Sequence, residues 1–403
     1  MRELYTLGVS IYGLLISIAA LFGGKAKKWK EGRKNYFQRL PPNLNGCVWV
    51  HCASLGEFEQ GRPVIEALRT KSTQKILLTF FSPSGYEIRK TYKEVDAVVY
   101  IPLDTKSNAV NFLNHFNPCR AIFVKYEVWH NFYQELHKRE VPTILISAIF
   151  RREQIYFKSY GSWFLDTLRR VNHIYCQDEN SQSLLKAMGL RNASVAGDTR
   201  FDRVDALAKK VQPISKIQAW LKGRKAIIAG STWPADETLI AELVNNLPKE
   251  MAIILAPHEV QDGKIDKLKT QFKGANLFTT WREDNEPNQI MIIDTIGLLS
   301  SLYQYGIIAY VGGGFGSGIH NTLEPATYGI PVIFGPKYQK FREAVELIDL
   351  GAAISVNSQE SLNKSINLFL NDDLKRERCG KMAANYVQSN AGATEKILGQ
   401  IMD

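Results

Sequence analysis

At 403 residues and 45% hydrophobic side chains, the chain is too long for one ordinary core and too apolar to be disordered. The net charge of +10 favours anionic partners, a phospholipid surface or phosphorylated substrates among them. With no zinc-finger, RNP-type or lysine-tract signal, nucleic acid is the weakest partner class, and none is expected.

Leu4 to Phe22 carries no charge over a length close to the roughly twenty residues that span a bilayer as a helix. Lys25, Lys27, Lys28, Lys30, Arg33 and Lys34 follow it at once, whereas a secretory signal carries its charge before the apolar run. The positive-inside rule then leaves the large C-terminal portion in the cytoplasm, with the basic cluster against anionic headgroups. The expectation is an N-terminal anchor helix over residues 1–24; the alternative is a buried core helix.

From Cys47 onwards, short apolar runs alternate with helical stretches. The strand candidates are Cys47 to Cys52, Lys75 to Phe80, Ala97 to Ile101, Ala121 to Lys125, Thr143 to Ser147, Ile174 to Cys176 and Ala193 to Ala196. Runs of about five residues followed by ten or more of helical pattern predict a parallel α/β sheet. Gly197 to Pro213 breaks the rhythm, and the boundary is placed between 205 and 206. A second series follows, at Ala226 to Ala229, Ala252 to Leu255, Gln289 to Ile293, Ile307 to Val311 and Val332 to Phe334, before helical pattern takes over from Ser358. Residues 25–205 and 206–403 are thus expected to form two doubly wound domains, with a ligand cleft at the carboxyl ends of both sheets. The five cysteines are odd in number and form no CxxC pair, which fits a reducing compartment.

Candidate chemistry gathers after the strands. Ser54-Leu55-Gly56-Glu57 reads as a helix-capping box, or as a carboxylate placed to act as general base. Gly230-Ser231-Thr232-Trp233-Pro234 is again a cap, or an anion site made by the hydroxyls of Ser231 and Thr232. Pro257-His258 and Asp294-Thr295-Ile296-Gly297 end two further strands. Most telling is VGGGFGSGIHNTLEPATYGIPVIFGP, Val311 to Pro336, where a strand runs through glycines into His320-Asn321-Thr322-Leu323-Glu324. Such a loop lets backbone N–H groups approach a phosphate, and Glu324 could accept from ribose hydroxyls. A tight βα turn with Asn321 and Glu324 as caps is the alternative, because the spacing is neither GxGxxG nor GxxxxGK[ST]. No HExxH, Cys/His cluster or acidic pair near the glycines suggests a metal site, and no GxSxG elbow argues for a hydrolase.

Taken together, these residues resemble the Kdo transferases, membrane-anchored GT-B glycosyltransferases that act on the lipid A precursor. The resemblance spans nearly the whole chain: the N-terminal apolar helix, Ser54-Leu55-Gly56-Glu57, Glu127-Val128-Trp129, Gly197-Asp198-Thr199-Arg200-Phe201-Asp202, Gly230-Ser231-Thr232, Asp294-Thr295-Ile296-Gly297, and His320-Asn321-Thr322-Leu323-Glu324-Pro325-Ala326. It implies a GT-B fold at the cytoplasmic face of the inner membrane and inverting transfer of Kdo from CMP-Kdo to a lipid A precursor, with no metal or other cofactor. It further implies Glu57 as base, Arg200 beside the leaving phosphate and Glu127 on the acceptor side. Ser231, Thr232, Pro257, His258, Thr295, Ile296, Gly297, Leu298, Gly318, His320, Asn321, Thr322, Leu323 and Glu324 would hold the donor nucleotide. The chain departs from the family pattern at Pro257-His258, where an arginine is usual between the two, and at Leu298, His130, Lys340 and Arg200. A sugar-nucleotide epimerase of the same architecture and a non-catalytic nucleotide-sugar-binding protein are the competing readings.

Overall fold

The computed structural model describes residues 2–402 and divides into two α/β units. The first takes the chain up to Asp202 and again from Ala391; the second is Arg203–Asn390.

In the first unit the strands are β1 Val48–Cys52, β2 Ile76–Phe80, β3 Ala97–Tyr100, β4 Arg120–Val124, β5 Thr143–Ala148, β6 His173–Cys176 and β7 Ala193–Val195. They pair in parallel in the order β3-β2-β1-β4-β5-β6-β7. Every residue of β1 is buried, because helices cover both faces of the sheet. Trp49, Leu77, Phe123 and Leu145 pack into one layer, and their neighbours Val48, Val50, Ile76, Leu78, Ile122 and Ile146 into the other. Strand order reverses between β1 and β4, and in an open α/β sheet ligands bind outside the carboxyl ends at such a point.

The second unit repeats this plan with β8 Lys225–Thr232, β9 Met251–Pro257, β10 Asn276–Leu277, β11 Ile290–Ile292, β12 Gly306–Val311, β13 Val332–Phe334 and β14 Ala353–Ser355. The order is β10-β11-β9-β8-β12-β13-β14, so the reversal lies between β8 and β12. The two edge strands β10 and β14 escape the sequence pattern, and β10 has only two residues in which to show it.

The C-terminal boundary differs from expectation. The last helix, Ala393–Ile401, belongs to the first unit, where Ala393, Ile397, Leu398 and Ile401 fill the layer containing Val50 and Ile65. The Asp202 carboxylate accepts from Thr394 N (2.8 Å) and Thr394 Oγ1 (2.7 Å), and the Tyr175 hydroxyl donates to Gln400 Oε1 (2.6 Å).

The N-terminal apolar run forms helix α1, Arg2–Ala19, continued as a 3₁₀ turn to Phe22, and Glu3–Phe22 is long and apolar enough to cross a membrane. Leu7, Leu14, Leu15, Leu21 and Phe22 are exposed. The opposite face rests on the first unit, so the described part of the expected anchor, residues 2–24, is not a detached segment. Tyr5 donates to Asp104 Oδ2 (2.6 Å) and packs against Trp163, and Tyr12 stacks on Phe81. Asp104 is wholly buried and also accepts from Asn131 N and Phe132 N, at the start of the helix His130–Lys138. Burial lifts its carboxyl to about 6 against these hydrogen bonds.

One member of the expected basic surface turns inward. Arg33 lies over the rings of Trp29, Tyr100 and Phe81, with its guanidinium 4.1 to 4.9 Å from their centroids, and donates to the carbonyls of Ile101 and Phe81. Burial without a carboxylate lowers it to about 9. A guanidinium is weakly hydrated and planar, which suits this aromatic setting.

Candidate active site

In the first unit Glu57 follows β1 and Glu127 follows β4, so the two flank the reversal of strand order. Glu57 sits in the first turn of the helix Leu55–Lys71, buried, with Oε2 accepting from Ser54 N (3.1 Å). The two sequence readings of this residue are compatible, since one carboxylate oxygen caps while the other is left for chemistry. Burial raises Glu57 above the usual carboxylate range, while Lys125 and backbone N–H groups favour its charge. Burial, and then the charge of Glu57, push Glu127 up to about 8, opposed by a hydrogen bond from Trp129 Nε1 (3.1 Å). Both carboxyls are thus raised by burial, and the charge of Glu57 is one cause of the shift on Glu127.

Lys125, which biases both groups, was not picked out by sequence. It is the first residue after β4 and has a left-handed backbone (φ 68°), a conformation costly for a side-chain-bearing residue. Ser147 in β5 and Ser231 in β8 share this strain. Arg200 is tied to Asp198, with its Nε 2.9 Å and its terminal nitrogen 2.8 Å from Oδ2, and Gln60 Nε2 donates to the same carboxylate. His130, a departure from the family pattern, is accommodated by Thr167 Oγ1 at 2.8 Å and by stacking on Trp163.

In the second unit the sequence-predicted donor residues fall at the carboxyl ends of four adjacent strands, β11, β9, β8 and β12. Thr295, Ile296, Gly297 and Leu298 lie between β11 and the short helix Leu299–Leu302, with Ile296 fully presented to solvent. Pro257 ends β9 and His258 follows it, exposed. Ser231 and Thr232 end β8, but the buried Thr232 hydroxyl donates to Glu237 Oε1 (3.3 Å), an occupation that sequence did not anticipate.

The glycine loop uses several of its N–H groups internally. Its N–H groups at Gly312, Gly313, Gly316, Gly318 and His320 already donate within the unit, to Gly230 O, Asp236 Oδ2, Gly313 O, Gly313 O and Gly312 O. The glycines also serve close backbone packing. A Cβ at Gly312 would strike the backbone of Ser231 and Thr232, and one at Gly314 the backbone of Gly335. Beyond the loop, Asn321 Oδ1 accepts from Leu323 N and its Nδ2 donates to Glu324 Oε1 (3.1 Å), the capping alternative in modified form. Leu323 opens a helix of five residues, Thr322 is buried, and burial raises the Glu324 carboxyl while Arg203 opposes the shift.

Asp236 is the residue that sequence reading passed over. It lies in the first turn of the helix Pro234–Val244, buried, and accepts from Trp233 N (2.9 Å), Gly313 N (2.9 Å) and the Tyr310 hydroxyl (2.7 Å). It therefore fastens the end of β8 to the start of the glycine loop. Its only sequence signal is the acidic residue in the first turn of a Pro-initiated helix.

A family model described as 3-deoxy-D-manno-octulosonic-acid transferase (kdotransferase) matches residues 27–203. The 3-deoxy-D-manno-octulosonic acid transferase of Aquifex aeolicus is 31% identical over 327 residues, 79% of this chain and 85% of its own. That of Haemophilus influenzae is 25% identical over 87% of this chain and 85% of its own. Among solved structures, the UDP-GlcNAc 2-epimerase of Neisseria meningitidis bound to UDP-GlcNAc superposes with a TM-score of 0.57 at 15% identity, covering 88% of this chain and 99% of that one. The epimerase of Methanocaldococcus jannaschii gives 0.53 at 16% identity, covering 86% and 99%. At such identities the epimerases share the two-unit fold alone. The Aquifex likeness extends through both units and carries more than fold, and on it the chain belongs to the Kdo transferase family, glycosyltransferases of GT-B architecture.

Proposed function

We propose that the protein transfers Kdo from CMP-Kdo to a lipid A precursor at the cytoplasmic face of the inner membrane, with inversion at the anomeric carbon. The observation that carries this reading is the pairing of Glu57 with Glu127 at the strand-order reversal of the first sheet. Glu57, ionised and made more basic by burial, takes the proton from an acceptor hydroxyl. That oxygen forms the new bond to the anomeric carbon as the bond to the CMP phosphate breaks, and CMP leaves with the electron pair. A base tuned towards the working pH contributes about 10²- to 10⁴-fold. Glu127, holding its proton, belongs to the acceptor side. Arg200 meets charge growing on the departing phosphate, and the residues after β8, β9, β11 and β12 hold the nucleotide. The relatives' printed activity and the match to their family model support this assignment. An epimerase would need no lipid acceptor, whereas this chain presents a long apolar helix face next to lysines.

The test is incubation of purified protein with CMP-Kdo and lipid A precursor, with products read by mass spectrometry. The expected result is a Kdo-extended lipid and free CMP, at a rate unchanged by excess EDTA. Loss of transfer in EDTA with rescue by a divalent ion overturns the metal-free route, and epimerised sugar without lipid product overturns the transferase reading.

The same reading assigns the exposed Leu and Ile face of α1 to lipid, with its other face kept on the first unit. Deleting residues 1–23 is expected to leave both units folded but to reduce co-sedimentation with anionic vesicles. Binding by the remaining lysines should be salt-sensitive, because exposed charges are screened over about 10 Å at 0.1 M salt. The first unit should also melt earlier, since Asp104 loses the Tyr5 hydroxyl. Vesicle binding equal to that of the full chain would remove the anchor role.

A further inference from the structure

Three rings meet at the carboxyl ends of β8, β9 and β12, and Trp233 and His320 stand on either side of the strand-order reversal. Trp233 Nε1 donates to His320 Nε2 at 2.9 Å. The two ring planes differ by only 9° with centroids 6.4 Å apart, so the rings lie nearly coplanar, edge to edge. His258 covers the seam between them, its centroid 4.3 Å from that of His320 and 4.7 Å from that of Trp233, at 23° and 24°. Gly313 backs the arrangement, since a side chain there would press on the His320 ring.

An indole N–H can only donate, so the Nε2 of His320 that receives it must carry a lone pair. In a neutral imidazole the proton is then on Nδ1, and the partner of one nitrogen has dictated the chemistry of the other. Burial, reinforced by the neighbouring His258, holds His320 down at about 4 and hence neutral in the physiological range. The backbone of Trp233 is itself fixed by Asp236, so the donor of this bond has little freedom to turn away.

We propose that Trp233 is a positioning residue of the nucleotide half-site: its indole N–H locks His320 as the Nδ1–H tautomer, and the coplanar pair supports the stacked ring of His258. His320 thereby offers a hydrogen-bond donor, and no acceptor, to a phosphate or carbonyl oxygen of a cytidine monophosphate. His258 supplies a second imidazole where the sequence lacks an arginine between Pro257 and His258. The inference rests on the assignment of this unit to the donor.

The test uses full-length protein with ¹⁵N-labelled histidine, whose two ring nitrogens report the tautomer directly, and His320→Gln to assign the signals. In the wild type His320 is expected as the Nδ1–H form. Trp233→Phe keeps a ring for His258 to stack on but removes the N–H, and His320 should move towards the Nε2–H form. CMP titrated into the two proteins should bind the variant about tenfold more weakly, the scale of one lost hydrogen bond. A wild-type His320 protonated on Nε2 overturns the proposal without recourse to any variant. So does a variant whose tautomer shifts while CMP affinity stays the same, or one whose tautomer does not shift. CMP that leaves every wild-type histidine signal unmoved overturns the donor assignment instead, and the tautomer result then stands apart from it.

Discussion

Glu57→Gln is expected to give a folded enzyme that still binds CMP and transfers at least about 10²-fold more slowly, the lower end for a lost general base. Glutamine can still accept from Ser54 N, so the cap on the helix Leu55–Lys71 survives and the loss falls on chemistry. The pH dependence of stability supplies an independent readout. Glu127 is raised to about 8, so the folded state holds a proton there that the unfolded state releases between about 4.3 and 8, and Glu57 is shifted in the same direction. Stability from Glu127 is therefore present at low pH and is lost as pH rises through about 8. Removing the charge of Glu57 relieves Glu127 of part of its upward push, so this loss should shrink in the variant. Denaturant melts at pH 6 and pH 8.5, alongside turnover, check both parts. Near-normal turnover would leave Glu57 as a cap only.

Asp236→Ala should cost about 3 to 5 kcal/mol, since each buried donor left without a partner costs about 1 to 3 kcal/mol. Three donors lose their acceptor together: Trp233 N, Gly313 N and the Tyr310 hydroxyl. None can turn to water without opening the junction between β8 and the glycine loop. Asp236→Asn should cost distinctly less, because the amide oxygen still accepts from the two N–H groups and the Tyr310 oxygen can accept in return. Asp262→Ala, also in a helical first turn but exposed, should stay within about 0.5 kcal/mol. Urea melts of the three variants would rank them, and equal losses for Asp236→Ala and Asp262→Ala would refute the clamp.

The architecture was legible because parallel strands buried on both faces read as unbroken apolar runs. Each of the five-residue strands β1, β2 and β4 lies within a residue of its expected place. Edge strands as brief as β10 leave no such trace. Glu57 could be found because a capping box is a local pattern of four residues. Lys125, Asp236 and the Trp233–His320 pair could not, because their meaning depends on which strand lies beside which. His320 stands 87 residues from the indole that fixes its proton. The glycine loop carried more than sequence could tell, since residues that permit a phosphate to approach equally permit two backbones to approach.

The return of the last helix to the first unit has a consequence for how the chain is made. A ribosome completes the first seven strands, then the entire second unit, and only afterwards the segment Ala393–Ile401 that covers Val50, Ile65 and Ile146. The first unit thus waits through the synthesis of Arg203–Asn390 with one flank of its interior open to solvent, or to other chains. A frameshift just after Asn390 would spare the unit made second and injure the unit made first.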